Sequence, residues 1–254
     1  MSVRDWPPPE SAVQAIHDRY QREVVEGLGL CPFARRSREL GRVHRPVFMI
    51  DPEHPEPERP LDPREVVDRL ARLIDTHADV EIVLLTFPLP PGHAWLDVAR
   101  FDRFLVELRE VWQAQPRPRD FYMVAFHPGN ATSSDRSLTA DSLVPLLRRS
   151  PDPVIQCVDA AMLDRVRKQA QESARERMLR DLEARDPALA QLFARSISPD
   201  PELSGDIARQ NFESLGDPGG LARLDAKIRE LHLAREHAYG LGRDQTDDPT
   251  SLES

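Results

Sequence analysis

The sequence predicts an α/β fold: a small, mostly parallel or mixed sheet of about four strands covered by helices, with an all-helical C-terminal extension. Two observations carry that expectation. Short apolar runs alternate with amphipathic stretches of helical period as far as Val158, and only helical periodicity follows from Ala160 to Gly240. A composition of 40% hydrophobic and 30% charged residues is that of an ordinary globular chain, so a packed core is expected.

The elements follow in order. Ala12 to Glu26 reads as a helix, with Val13, Ile16, Tyr20, Val24 and Leu28 at spacings of three and four and Ser11 as its N-cap. Gly27-Leu28-Gly29-Leu30-Cys31-Pro32-Phe33-Ala34 stops it and places Cys31 in a loop. Val43 to Ile50 ends in a short strand. The five prolines of Asp51 to Pro63 suit an exposed, stiff connector. Arg64 to His77 is amphipathic through Val66, Val67, Leu70, Leu73 and Ile74, and Glu81 to Phe87 has the continuous apolar character of a buried strand. A third cycle gives a helix over Trp95 to Trp112 and a strand over Asp120 to Phe126, with His127 at its carboxyl end. After a short helix near Leu143 to Arg148, Pro153 to Val158 is expected as a fourth strand at the sheet edge, where prolines are tolerated. The organisation expected is a core over 10–158, a helical region over 159–240 packing on it, and disordered tails at 1–9 and 241–254.

Charge and motif content remove several function classes. With 34 basic and 43 acidic residues the net charge is −9, and no Lys/Arg run exceeds a doublet, so no basic stripe for nucleic acid is expected. No segment is apolar over the length needed to span a bilayer and no export signal is evident, which predicts a cytoplasmic protein with reduced thiols. The two cysteines, 126 positions apart, match neither a zinc ribbon nor a disulfide framework. There is no GxGxxG, GxxxxGK[ST], GxSxG or HExxH pattern.

Two turns could hold chemistry. Pro32 suits the first turn of a helix, which would put Cys31 at its N-cap, facing orphan amides and beside Arg35, Arg36 and Arg38, all favouring thiolate. The bland alternative is a small buried hydrophobe between Leu30 and Phe33. His127 closes the third strand, where ligands collect in α/β sheets, and opens the polar loop Gly129 to Ser137. Its alternative is a structural, hydrogen-bonded histidine. Cys157, inside an apolar run, reads as core, while His44, His54, His77 and His93 border loops or helix ends and His232 and His237 are spaced wrongly for one helical face.

The Gly27 to Ala34 segment, Phe126-His127-Pro128 and Arg149-Ser150-Pro151-Asp152-Pro153 together resemble the bacterial domain-of-unknown-function 1415 family, over about residues 10–215. The resemblance implies that Cys31, His127, Arg149 and Asn211 belong to one constellation. It implies no activity. The chain departs from the family between His127 and Arg149, and carries Gln156 where the family typically has histidine.

Three functions follow as expectations. The first is an enzyme with a Cys31 thiolate, His127 as its base, and Arg149 or Arg136 holding a small anionic substrate, with Asp135 and Asn211 as further polar contacts. The second is a metal or haem binder using Cys31, His127 and Asp135, although no resident cofactor is predicted. The third is a non-catalytic protein that binds a partner through its C-terminal helices.

Overall fold

The computed structural model describes residues 6–31, 33–52, 54, 56, 59–130, 140–185, 215 and 218–241. It is an α/β fold built on one four-stranded mixed sheet. Helix α1 (Glu10–Tyr20) runs into a π-helical turn (Gln21–Glu26), followed by α2 (Ala34–Glu39) and the short strand β1 (Val43–His44). Then come α3 (Pro63–Thr76), β2 (Ile82–Thr86), a 3₁₀ turn (Ala94–Leu96), α4 (Val98–Gln113) and β3 (Phe121–Phe126). Among the described residues, α5 (Ala140–Leu147), β4 (Val154–Asp159), α6 (Ala160–Arg185) and α7 (Pro218–Ala238) follow.

Local chemistry sets the helix starts. Asp62 caps α3 by accepting from the Arg64 amide at 2.9 Å, with Pro63 in the first turn; Asp97 caps α4 through the Arg100 amide at 3.0 Å. Ser11 is not the cap of α1: the helix begins two residues earlier than expected, at Glu10, with Pro9 at the cap position. The first helix also does not stay α-helical to Glu26, because its last six residues widen into the π turn.

The strand order is β1-β2-β4-β3. β1 and β2 are parallel, whereas β4 is antiparallel to both β2 and β3. β4 is therefore interior, correcting the edge placement. Pro151 and Pro153 lie outside the strand, so its ladder keeps all its amide donors, and the Pro153 carbonyl still accepts from Phe87 at 3.0 Å.

Alternation along the strands separates two faces. Val83 and Leu85 of β2, Ile155 and Cys157 of β4, and Phe121 and Met123 of β3 face α3 and α4 in the main core. There Phe87 meets Trp95 and Phe101 edge to face at 5.8 and 5.6 Å, each such pair adding about 0.5–1.5 kcal/mol beyond its buried area. The opposite face carries Ile82, Leu84 and Thr86, their partners Val158, Gln156 and Val154, and beyond them Tyr122, Val124 and Phe126. It lies beneath α1, the π turn, α2 and α5. Helix α7 packs on α1: Leu224, Ile228 and Leu231 share a buried cluster with Tyr20, Val24 and Leu30. The segment before α1 is tied down, since Trp6 donates to the Ile50 carbonyl at 2.8 Å and lies edge-on to Tyr239. No helix among the described residues is long and apolar enough to cross a membrane.

Candidate functional site

The second face of the sheet does not close completely. Between it and the helices lies a cavity of about 290 Å³, walled mostly by apolar side chains, with Leu84, Val124, Val154 and Gln156 among its floor residues. That volume is at the low end of the range for small-molecule sites, and an apolar wall with a few polar groups is their usual character.

The Gly27 to Ala34 segment builds one wall. A side chain at Gly27 would place its Cβ 2.5 Å from the Glu23 carbonyl oxygen, and Gly29 has φ +67°, so the chain can turn sharply off the π helix. The turn closes with the Leu30 amide donating to the Val25 carbonyl at 2.9 Å, buries Leu30 and brings half-buried Cys31 to the cavity. Cys31 is not the N-cap of α2, a position that Phe33 takes, but its sulfur still meets backbone amides, those of Phe33 and Ala34.

The thiol is nevertheless not activated. Burial pushes it up to about 11; the two amides oppose that only in part, and the nearby Glu26 carboxylate adds to it. The arginines expected to favour thiolate are committed elsewhere. Arg38 Nε donates to Glu26 at 2.7 Å, Arg35 lies 3.8 Å from the same carboxylate, and Arg36 lies 3.8 Å from Glu81. Cys31 is a neutral thiol at pH 7.

His127 is on the other side of the sheet. Alternation continued from Phe121, Met123 and Ala125 puts it on the core face, 1% exposed, with its ring 5.8 Å from Phe101. Both ring nitrogens are occupied: Nε2 is 2.9 Å from the Trp95 carbonyl, and Nδ1 accepts from the Gly129 amide at 2.9 Å. Burial lowers its pKa, so it is a neutral structural imidazole. The expected Cys31–His127 pair is not formed, and the two cannot share a metal ion. Among the described residues, no group of three or more His, Cys, Asp or Glu is placed to hold one.

Arg149 does not reach the cavity either; its Nε donates to the Leu146 carbonyl and a terminal nitrogen pairs with Asp225 of α7 at 2.5 Å. Asp135, Arg136 and Asn211 lie outside the described residues. Cys157 is core, as expected. It is fully buried on the face opposite Cys31 and its thiol is pushed up by burial, so the two sulfurs form no redox pair.

The site's polar end comes from residues that the sequence reading passed over. His17 of α1 lines the cavity, and its Nε2 lies 3.1 Å from Oδ2 of Asp152, which is fully buried in the turn before β4. Asp152 also accepts from Tyr239 Oη at 2.7 Å and from Arg235 Nε at 2.7 Å. Burial alone would push Asp152 up, but the His17 bond, the Arg235 charge and the Tyr239 bond together hold it below the usual carboxylate range. Burial lowers His17 further than Asp152 raises it. The buried charges are thus Asp152 and Arg235, with His17 neutral. The Asp152 bond takes His17 Nε2 and leaves Nδ1 without a hydrogen-bond partner among the described residues.

Further groups on the cavity wall are uncommitted. Tyr20 Oη and Arg45 Nε are buried with no hydrogen-bond partner among the described residues, although the other two guanidinium nitrogens of Arg45 bond Asp18 at 2.6 Å and Gln21 at 3.0 Å. The Gln156 amide likewise has no side-chain partner among the described residues. Comparison of the chain with protein-family models, curated proteins and solved structures finds no match.

Proposed function

We propose that this protein binds a small, largely apolar organic molecule in the cavity on the second face of its sheet. The observation that carries the reading is a cavity of about 290 Å³ with an apolar wall, interrupted by side chains whose hydrogen-bonding capacity is unused. Such a wall favours apolar surface by roughly 25 cal/mol per Å² removed from water, and unmet polar groups reward a ligand that supplies partners. The resemblance of the Gly27 to Ala34 and Phe126 to Pro128 segments to a family without an assigned activity adds no chemistry, so the reading rests on geometry.

The neutral naphthylamine dye N-phenyl-1-naphthylamine tests it, because its emission rises in apolar surroundings. The folded protein should bind the dye saturably, and Val124→Trp, which fills the cavity from its floor, should weaken binding at least tenfold with the circular dichroism spectrum unchanged. Absence of saturable binding, or equal binding by folded Val124→Trp, would sink the reading.

A thiol-enzyme reading is supported at one point only, the position of Cys31 on the same cavity. It would use a neutral thiol and would not use His127. Protection of Cys31 from iodoacetamide by bound dye would place the thiol against the ligand; an unchanged rate would remove it from the site.

A further inference from the structure

We infer that the ligand of this cavity is an amphiphilic anion, an apolar chain or ring carrying a carboxylate-type head group. The inference rests on the binding reading and deepens it. Charge is the first argument: the cavity is lined by two arginines, Arg45 and Arg148, and by no carboxylate among the described residues. In a chain of net charge −9 a wall of that sign is against the average, and the charge of Arg45, whose side chain is 7% exposed, is poorly screened by salt.

The unused hydrogen-bonding capacity is the second argument. An Arg Nε–H can only donate, and a Tyr hydroxyl donates readily to an oxyanion. Arg45 Nε and Tyr20 Oη are both buried without a partner among the described residues, on residues that line the same cavity. Leaving such donors unpaired costs on the order of 1–3 kcal/mol each, and a charged oxygen is the acceptor that relieves this most strongly. Arg45 is itself held in place, its side chain 7% exposed and its terminal nitrogens fixed by Asp18 and Gln21, so its free Nε–H is preorganised. Arg148 is exposed and interacts with the Asp102 carboxylate and with Arg109, and it gives the cavity lining a second cation. The apolar remainder, including Ile82, Leu84, Val124 and Val158, offers nothing to a multiply charged or sugar-like ligand but suits a hydrocarbon tail.

The test is displacement of the neutral naphthylamine dye from the full-length protein by decanoate and by decanol, which share a tail and differ in the head. Decanoate should compete at a concentration at least tenfold below that of decanol. Arg45→Gln should close most of that gap by weakening decanoate competition more than decanol competition, and Tyr20→Phe should narrow it. Arg148→Gln keeps the question open to decision should Arg45→Gln fail to fold, since removal of the second cation should also narrow the gap. Equal competition by both compounds, with dye bound, overturns the anion inference and leaves the cavity reading standing. A folded protein that binds no dye overturns both. A gap of the expected size that survives Arg45→Gln and Arg148→Gln in folded protein overturns the assignment of the head group to these arginines.

Discussion

His17 of the first helix and Asp152 of the turn before β4 face one another at 3.1 Å, 135 residues apart in sequence and both nearly inaccessible to solvent. Through Arg235 and Tyr239 the same carboxylate also holds α7, so one buried charge fastens three separate parts of the chain. Removing it leaves Arg235, 14% exposed, with an uncompensated charge. Asp152→Ala should therefore cost about 3–5 kcal/mol in denaturant unfolding, the range for breaking a buried pair on one side. A loss below about 1 kcal/mol would mean that α7 is held by its apolar contacts alone.

The same pair gives stability a direction with pH. His17 has a folded pKa below its unfolded value of about 6.5, so its contribution is complete above that pH and is lost as pH falls towards the folded value. Asp152, also lowered, contributes fully above its unfolded value of about 3.8 and loses that contribution as pH falls through its folded pKa. His127, His93 and His232 are lowered by burial too and act with His17. Melting temperature should fall between pH 7.5 and pH 5, and the fall should be shallower in His17→Gln. A melting temperature that is flat or rises towards pH 5 would contradict the neutral assignment of these imidazoles.

Much of the fold is legible in the sequence because its elements are strongly periodic. Strands β2, β3 and β4 and the helices α3 and α4 follow from runs such as Val66, Val67, Leu70 and Ile74, whose spacing leaves little choice of buried face, whereas β1 lies at the start of the 43–50 stretch and not at its end. The place of β4 is not legible in the same way, because Pro153 stands just outside the ladder and local sequence does not show which strands flank it. The site is less legible still. Parity along β3 already puts residue 127 with 121, 123 and 125, opposite the face that carries Val124, which is a signal against pairing His127 with Cys31. His17 could have been found from its place among Val13, Ile16, Tyr20 and Val24 on the apolar side of α1, since a buried imidazole requires a partner. Nothing local to Asp152 reveals that the partner lies there.

The structural role of His127 can be separated from the cavity. His127→Leu conserves much of the volume but leaves the Trp95 carbonyl and the Gly129 amide without their ring partners. The Trp95 carbonyl, on a fully buried residue, is the costly orphan at about 1–3 kcal/mol, so the variant should be clearly destabilised. At a temperature where it is folded, dye affinity should match that of the native protein, because the imidazole lies across the sheet. A folded His127→Leu protein with tenfold weaker dye binding would return His127 to the site.

Cys31 should be a slow thiol. A value near 11 against 9.0 for an unperturbed cysteine implies about a hundredfold less thiolate at neutral pH. Iodoacetamide should therefore modify it more slowly than a model peptide thiol, and Glu26→Gln should speed the reaction by removing a facing charge. Quantitative mass spectrometry of the alkylated peptide distinguishes this site from Cys157, which should remain unmodified until the protein unfolds. Modification of Cys31 faster than the model thiol would show that the thiolate is stabilised after all.

Two tyrosines with opposite hydrogen-bonding fates give the sharpest contrast in stability. Tyr20 Oη is buried with no partner among the described residues, whereas Tyr239 Oη donates to Asp152 at 2.7 Å. Deleting an unpaired hydroxyl relieves a desolvation cost, while deleting one bonded to a carboxylate removes an interaction of about 1.5–3 kcal/mol. In the ligand-free protein Tyr20→Phe should raise the melting temperature, by roughly 2–4 °C for a gain of 1 kcal/mol in a chain of this size, and Tyr239→Phe should lower it. The double variant should give the sum, since the two hydroxyls share no hydrogen-bond partner. If Tyr20→Phe instead lost stability, the hydroxyl would have a partner in solution, most simply a water held in the cavity, and its donor would not be waiting for a ligand.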